Sequence, residues 1–216
     1  MLNSRLVIVG AGDFAREVLW MCLDIPSEQR EWESVCFIDD APDTARSHMQ
    51  LCHIDVPVIG TIQDFSPSPD DLLICALGDP CTKLNICERL QARGGHFTNV
   101  IHPMAAIGPG TKLGVGVIMA RLSIITANVS IGNFVTINSF SGCGHDAVVE
   151  DGCTISSHCD ITGHAHLERG VFLGSHAAVM TGVSIGAFAK VAAGSIAFRN
   201  VKAGETVIGV PAKYIF

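Results

Sequence analysis

The sequence predicts an α/β N-terminal domain of the Rossmann type, reduced to about half, over residues 1–100, followed by a parallel β-helix over residues 101–216. Three observations support this prediction. From Ile101 onward an apolar residue recurs at every sixth position for about a hundred residues, without a slip in register. The fifth residue of each six is small or β-branched. Before Ile101, apolar runs alternate with helical segments and end in glycine or aspartate.

The six-residue repeat is the sequence signature of a parallel β-helix, in which three repeats complete one triangular coil. Residues 18 apart then stack, and each coil buries its apolar residues against its neighbours. We expect the repeated apolar residue to point inward and the small fifth residue to let the chain turn a corner. A sandwich of many short strands is the alternative, but it does not require so regular a period. The first residues of the repeats are Ile101, Ile107, Leu113, Met119, Ile125, Ile131, Ile137, Cys143, Val149, Ile155, Ile161, Leu167, Leu173, Val179, Ile185, Val191, Ala197 and Ala203.

The first hundred residues predict a small parallel sheet, because apolar strands alternate with helices. We expect three or four strands, which is too few for the six-stranded dinucleotide fold and suits a mononucleotide better. Gly94 and Gly95 end the second predicted helix. The clearest predicted strands cover 6–9, 35–38 and 72–77, and the predicted helices cover 16–23 and 82–93, the second with Thr82 as a possible N-cap.

A glycine-rich turn follows the first predicted strand and matches G-x-G-x-x-A at Gly10, Gly12 and Ala15. Glycines at such a turn let the backbone approach a phosphate or ribose closely. Two alternatives remain open from the residues alone. The turn could connect strand and helix without any ligand, or Asp39 could be the ribose-binding acid of a dinucleotide site.

Composition limits the class of protein. Hydrophobic residues make up 48 % and charged residues 16 %, which excludes disorder and allows a large core. The net charge of −7 argues against nucleic acid as a partner. No apolar run reaches the roughly 18 residues of a membrane helix, and the first residues lack a signal-peptide pattern. We therefore expect a cytoplasmic protein with no membrane partner. The nine cysteines form no C-x-x-C pair and are expected to be reduced.

Seven short motifs occur in an order that is more specific than any one of them. The chain resembles the sugar acetyltransferase family that includes sialic acid O-acetyltransferases and N-acetyltransferases of UDP- or GDP-linked 4-amino-sugars. This resemblance implies a left-handed β-helix, acetyl-CoA as co-substrate, a nucleotide-linked sugar as acceptor and a homotrimer. The motifs are Gly10-Ala11-Gly12, Phe37-Ile38-Asp39-Asp40, Val56-Pro57-Val58-Ile59-Gly60, Ala76-Leu77-Gly78-Asp79, Ile101-His102-Pro103, Gly142-Cys143-Gly144-His145-Asp146 and Gly209-Val210-Pro211-Ala212-Lys213.

The resemblance also implies ligand-binding residues. Asp13-Phe14 replaces a Gly-His pair of many relatives, so a donor is missing and an extra carboxylate lies near the expected diphosphate. Some relatives have histidine at Thr154, where the hydroxyl keeps one donor. Ser175 and Ala193 are 18 apart and share one ladder, along which pantetheine could extend. The implied acetyl-CoA contacts are Thr154, Ser175 and Ala193, and the implied nucleotide-sugar contacts are Gly12, Asp13, Phe14, Asp39, Asp40, Gly78 and Lys83.

The family's catalytic histidine falls on His145, with Asp146 as its acidic neighbour. Acetyl transfer needs a general base near neutral pH, which histidine supplies, and a carboxylate can hold the imidazole ring. Consecutive residues of a strand point to opposite faces, so Asp146 reaches the ring only if the chain bends there. His164 stacks one coil beyond Asp146 and is an alternative partner. Cys143 holds an inward position, so we expect an inert thiol and no acyl-enzyme.

The expected function is acetyl-CoA-dependent acetylation of a nucleotide-linked sugar or amino-sugar, in the synthesis of surface polysaccharide or glycan precursors. One alternative is a non-catalytic hexapeptide module that senses a ligand through its N-terminal domain. A second is a metal enzyme of the γ-carbonic-anhydrase kind, but the predicted β-helix over residues 101–216 lacks its H-x-x-x-x-H pair, so no metal is expected. His158 and His176 are predicted to stack as an outward ladder. Uncharged outward residues suit side-by-side packing in a homotrimer: Ser139, Ser157 and Ser175.

Overall fold

A computed structural model describes residues 4–215. The first part is a five-stranded parallel sheet with helices on both sides, one strand or two more than expected. The two edge strands are short, which is why the sequence pattern did not reveal them. In chain order the elements are β1 (Arg5–Val9), α1 (Asp13–Asp24), a 3₁₀ turn (Ser27–Gln29), β2 (Ser34–Ile38), α2 (Pro42–Leu51), β3 (Val58–Gly60), β4 (Asp71–Cys75), α3 (Pro80–Ala92) and β5 (His96–Phe97).

The sheet has the strand order β3-β2-β1-β4-β5, and every pairing in it is parallel. Apolar residues of α1 and α2 share one core with this sheet, and those of α3 share a second core on its other side. The strand order reverses between β1 and β4. In open α/β sheets the crevice at such a switch point, beyond the carboxyl ends of the strands, is where ligands bind.

Two helix starts differ from the sequence prediction. α1 begins at Asp13, three residues earlier than expected, and directly after the glycine turn. α3 begins at Pro80 and is capped by Asp79, not by Thr82. One Asp79 carboxylate oxygen accepts from the Thr82 amide at 2.9 Å and from the Thr82 hydroxyl at 2.8 Å. Proline is favoured at the first helical position because its missing N–H would have no partner there.

The second part is a left-handed parallel β-helix with three faces. Its strands are only two or three residues long, and strands 18 residues apart pair in parallel. Face 1 contains β6 (Val100–Ile101), β9 (Ile118–Met119), β12 (Thr136–Ile137), β15 (Thr154–Ile155), β18 (Phe172–Leu173), β21 (Lys190–Val191), β23 (Thr206–Ile208) and β24 (Lys213–Ile215). Face 2 contains β7 (Ala106–Ile107), β10 (Ile124–Ile125), β13 (Gly142–Cys143), β16 (Asp160–Ile161), β19 (Ala178–Val179) and β22 (Ile196–Ala197). Face 3 contains β8 (Lys112–Leu113), β11 (Ser130–Ile131), β14 (Val148–Val149), β17 (His166–Leu167) and β20 (Ser184–Ile185).

The corners of the β-helix are formed by the fourth residue of the repeat, which has a left-handed backbone, for example φ +59° at both Asp146 and His164. The sequence had suggested the fifth residue for this role. The fifth residue instead points inward and is buried, as at Ala147 and Ala165. It is small because it packs just inside the turn, where the prism is narrow. The first residues fill the rest of the interior, so Cys143, at 2 % exposure, is an apolar filler as expected.

The sheet domain packs on face 1 without an intervening linker. β5 ends at Phe97 and β6 begins at Val100, and Val100 and Ile118 belong to the same core as α1. A polar contact supports this packing, because the buried His102 ring nitrogen Nε2 lies 3.0 Å from a carboxylate oxygen of Asp24 at the end of α1. Within residues 4–215, no helix has the length and apolar character needed to cross a membrane.

Candidate active site

The glycine turn lies at the switch point of the sheet. Gly10 has φ +96°, a conformation that L side chains rarely adopt, and a Cβ there would lie 2.9 Å from a Leu77 methyl carbon. Gly12 is exposed and open to solvent. Asp39 holds the turn from the neighbouring strand end, because one carboxylate oxygen accepts from the Ala11 amide at 2.9 Å. The predicted ligand residue Asp39 therefore also has a structural task.

Asp13 and Phe14 form the first turn of α1. The Asp13 carboxylate is exposed and makes an ion pair with Arg16 at 2.6 Å, with the His48 ring 3.7 Å away. The extra negative charge that replaces the family's usual residue is thus partly balanced within this chain.

Gly78 is exposed beyond the end of β4, and Asp40 accepts a hydrogen bond from the Gln63 amide at 3.0 Å.

Lys83 is not in the position that was expected for a residue that contacts the nucleotide-linked sugar. It is 1 % exposed and reaches from α3 into face 1. Its ammonium nitrogen Nζ donates to the Thr154 hydroxyl at 2.8 Å, the Cys153 carbonyl at 3.1 Å and the Thr136 hydroxyl at 3.2 Å. Burial lowers the pKa of Lys83 to about 8. The three N–H groups of the ammonium are therefore all engaged by the β-helix.

A cleft of about 280 Å³ lies between the sheet domain and face 1. It joins residues that were predicted for different ligands: Phe14 and Gly78 from the nucleotide-sugar set, and Thr154 and Ser175 from the acetyl-CoA set. Ala193 is exposed one coil beyond Ser175. The cleft is lined by Phe14, Glu17, Gly78, Thr136, Asn138, Thr154, Ser156, Ser157, Phe172 and Ser175.

His145 and Asp146 lie at the corner between faces 2 and 3, and their side chains are in contact. The His145 ring nitrogen Nδ1 is 2.8 Å from a carboxylate oxygen of Asp146. The left-handed backbone of Asp146 is the bend that brings consecutive side chains together. This hydrogen bond is the largest cause that lowers the pKa of Asp146, so the carboxylate stays ionised. The ring can then donate from Nδ1 and keep Nε2 free to accept a proton.

His164 lies one coil further along the same corner. Its Nε2 is 3.8 Å from the same Asp146 oxygen, and its ring meets the His145 ring edge to face with centroids 5.0 Å apart. The expected alternative partner is therefore present as a second, longer contact. The ligand atoms of His145, Asp146 and His164 lie within 4.8 Å of one another, a spacing at which a metal ion could be held. The expectation that no metal is needed stays a prediction.

Two further residues of this corner were not singled out in the sequence. Gly163 lies under the His145 ring, and a Cβ there would be 2.7 Å from the ring nitrogen Nε2. Asn128 lies one coil before Asp146, and its side chain makes a small contribution to lowering the pKa of the Asp146 carboxyl. Both could have been found from the 18-residue period, because Asn128 stacks with Asp146 and Gly163 with His145.

The corner between faces 1 and 2 carries an aromatic ladder. The rings of His158 and His176 stack in parallel 4.6 Å apart, and Phe140 stacks on His158 at 4.8 Å. The predicted outward ladder is thus present and is extended by one residue. In parallel stacked rings the nitrogens do not converge on one point where a metal ion could bind. This ladder therefore differs from the cluster at His145.

The predicted site residues therefore form two groups. One group lines the cleft near the corner between faces 1 and 2, and consists of Phe14, Gly78, Thr154 and Ser175. The other, His145 with Asp146, lies at the corner between faces 2 and 3. The strands of face 2 separate the two groups within one chain.

Comparison with known proteins supports the resemblance seen in the sequence. Residues 5–90 match the family described as the PglD N-terminal domain. A mutant of perosamine N-acetyltransferase from Caulobacter crescentus, in complex with CoA and GDP-perosamine, is 27 % identical with a TM-score of 0.84, over 99 % of this chain and 97 % of that one. WeeI from Acinetobacter baumannii AYE has the same fold, with 22 % identity, a TM-score of 0.70 and coverage of 98 % and 100 %.

The curated relatives that the chain matches include serine acetyltransferases. That of Buchnera aphidicola from Acyrthosiphon pisum is 33 % identical over 136 residues, which are 62 % of this chain and 44 % of that protein. The chain thus spans less than half the length of these relatives. The N-terminal match and the likeness over the whole chain together show that this protein is similar, in both of its parts, to solved sugar N-acetyltransferases.

Proposed function

We propose that this protein transfers the acetyl group of acetyl-CoA directly to an amine or hydroxyl of a nucleotide-linked sugar, with His145 as general base. The contact of 2.8 Å between His145 and Asp146 is the observation that carries the proposal. The similar Caulobacter enzyme binds CoA and GDP-perosamine, which supports the two substrate classes. Nucleotide-linked sugars are precursors of surface polysaccharides and other glycans, so we place the reaction in such a pathway in the cytoplasm.

The proposed reaction needs one base and no covalent intermediate. The His145 ring nitrogen Nε2 takes the proton of the acceptor as its nitrogen or oxygen attacks the thioester carbon. The carbon–sulfur bond then breaks, and the imidazolium returns the proton to the departing CoA sulfur. Asp146 accepts the hydrogen bond from Nδ1 and stabilises the imidazolium. An acyl-cysteine route is disfavoured, since Cys143 is buried and burial raises its pKa to about 12.

We infer a homotrimer from the separation of the two groups of site residues. The cleft and His145 lie at opposite edges of face 2, so a neighbouring copy packed along this face could bring its His145 to the cleft. The outward residues of face 2 and its edge include exposed apolar side chains, namely Leu122, Ile124 and Phe140, with exposures of 38 %, 52 % and 55 %. Such an apolar surface is suited to burial between copies.

The experiment is a steady-state assay with acetyl-CoA and a panel of UDP-, GDP- and dTDP-linked amino-sugars, with products identified by mass spectrometry. We expect His145→Ala to lower kcat by about 10²–10⁴-fold, the usual cost of losing a general base. Asp146→Asn should cost less, because the ring keeps its nitrogens. Cys143→Ala is the matched control on the same coil and should keep its turnover.

A fully active His145→Ala variant would contradict the proposal. So would a Cys143→Ala variant that folds and binds both substrates but has lost turnover. Absence of an acetylated product from the whole panel, with ligand binding intact, would instead favour the non-catalytic sensor.

A further inference from the structure

Three side chains that can ligate a metal ion converge at the corner between faces 2 and 3. Within residues 4–215, His145, Asp146 and His164 are the only three histidine, cysteine or carboxylate side chains that are grouped closely enough for this, with ligand atoms within 4.8 Å of one another. All three side chains are exposed. An ion in solution therefore reaches them without any movement of the backbone.

The distances within the cluster fit the coordination sphere of zinc. Zinc binds imidazole nitrogen and carboxylate oxygen at about 2.0–2.2 Å, so the ligand atoms of a tetrahedral site are about 3.3 Å apart. One Asp146 carboxylate oxygen lies 2.8 Å from Nδ1 of His145 and 3.8 Å from Nε2 of His164. These two distances bracket the required one, so small rotations of exposed side chains are enough to form the site.

The surroundings of the cluster also suit a cation. Within the described chain, the ion-pair contacts of Asp146 are with the two histidines, and no lysine or arginine competes for its carboxylate. Gly182 lies one coil beyond His164, and nothing lies within 4 Å of a Cβ added there. The side of the cluster next to Gly182 is therefore open, which leaves room for a water molecule as the fourth ligand.

The donor atoms determine which class of ion the cluster prefers. Two imidazole nitrogens and one carboxylate oxygen suit zinc and neighbouring first-row transition ions. Magnesium and calcium prefer sites made only of oxygen, and this cluster offers them a single carboxylate. We therefore expect zinc to bind and magnesium not to compete with it.

An ion at this place would remove the base of the proposed reaction. A neutral imidazole ring carries one N–H and has one free nitrogen. If the ion binds Nε2 of His145, that nitrogen has no lone pair left for a proton. If the ion binds Nδ1, the ring proton must be on Nε2, which then cannot accept a second one without losing the ion. Either way of binding blocks proton transfer from the acceptor.

We propose that His145, Asp146 and His164 form a zinc-binding site, and that zinc bound there inhibits acetyl transfer by occupying the general base. The ion is an inhibitor and not a cofactor, because the proposed reaction uses the free His145 ring. The binding site goes beyond the proposed function, and the inhibition rests on it.

The test is calorimetric titration of the full-length protein, without a histidine tag, with zinc chloride at pH 7. We expect about one zinc ion per chain, and no competition from an excess of magnesium. His164→Asn removes one ligand and keeps a residue type that tolerates the left-handed backbone at this corner, φ +59°. It should weaken zinc binding roughly tenfold or more, since even the loss of a group that only supports a ligand has this effect.

His158→Asn is the matched control. It also replaces an exposed histidine with left-handed backbone, φ +62°, but that histidine belongs to the parallel stack with His176. This variant should bind zinc as the wild type does. NMR spectra of the wild-type ring nitrogens during the titration should show shifts at His145 and His164 and none at His158, and this measurement decides the case if His164→Asn folds poorly.

Zinc should also inhibit wild-type turnover over the concentration range in which it binds, and EDTA should restore the turnover. Wild-type zinc affinity in folded His164→Asn, or a loss of affinity confined to His158→Asn, would overturn the site. Full turnover with zinc bound at the cluster would overturn the inhibition. If the wild type acetylates no sugar of the panel, the proposed function fails, and the two binding measurements still decide whether the zinc site exists.

Discussion

At the scale of single residues, the position of the His145 ring depends on residue 163 being glycine, because a larger residue there would occupy the space of the ring. A Cβ on Gly163 would lie 2.7 Å from the ring nitrogen Nε2 and 2.8 Å from the ring carbon Cε1, both shorter than real contacts allow. Gly163 does not have a positive φ, so its backbone does not need glycine. The glycine is therefore needed for space, and the ring that it accommodates is the one that contacts Asp146.

We predict that Gly163→Ala displaces the His145 ring and lowers kcat by roughly ten- to a hundredfold, since misplaced catalytic groups lose much of their effect. The KM for acetyl-CoA and the melting temperature should change little, because a ring at the surface can move aside. Kinetics combined with NMR spectra of the ring nitrogens would measure both effects. Gly60→Ala is the matched control, because nothing lies within 4 Å of its added Cβ. Unchanged ring signals in Gly163→Ala would refute this role.

At the scale of elements, α3 connects the two parts of the protein. Asp79 caps its start, and one turn later Lys83 inserts its charge into the β-helix. Burial lowers the pKa of Lys83 to about 8, against 10.5 for an ordinary lysine, although Cys75, Cys153, Cys87 and Asp79 all act to raise it. Between pH 8 and 10.5 the unfolded chain therefore binds more protons at this residue than the folded protein does.

We predict that the contribution of Lys83 to the free energy of unfolding increases as the pH rises. Below pH 8 it is charged in both states and burial of the charge costs stability, whereas above pH 8 that cost is relieved. Compared with Lys83→Met, the wild type should gain up to about 3 kcal/mol in its free energy of unfolding between pH 8 and pH 10.5. Urea unfolding of both proteins at several pH values measures the difference, and the other titrating groups, common to both, cancel. Parallel curves would show that Lys83 does not titrate in this way.

At the scale of the whole molecule, the arrangement of the faces leads to a prediction about assembly. Ile124 lies in the middle of the apolar surface of face 2 that we infer to be buried in the trimer. Ile124→Asp should place a charge there and yield monomers of 22.8 kDa, with loss of turnover but with nucleotide binding by the sheet domain retained. Leu51→Asp, at an 80 % exposed position on α2, is the control and should remain trimeric. Light scattering measures both, and a wild-type mass of one chain would contradict the assembly itself.

The repeat made the β-helix predictable from the sequence alone. A period of six residues places the same kind of side chain at the same position of every coil, so the inward residues and the 18-residue ladders follow from counting. The stacking of His158 on His176, and of His164 next to Asp146, followed in the same way. The glycine turn after β1 was also predictable from the sequence, because the pattern G-x-G-x-x-A directly after an apolar run is typical of a tight turn between a strand and a helix.

Other features were decided only by the tertiary structure. The contact of His145 with Asp146 depends on a corner with left-handed backbone. The sequence pattern did not reveal which residue of the repeat forms that corner. The burial of Lys83 depends on how α3 packs against face 1, and its partners Thr136 and Thr154 are 53 and 71 residues away in the chain. Periodicity describes contacts between equivalent residues of successive coils. Contacts between two differently built parts have no period, so only the folded arrangement shows them.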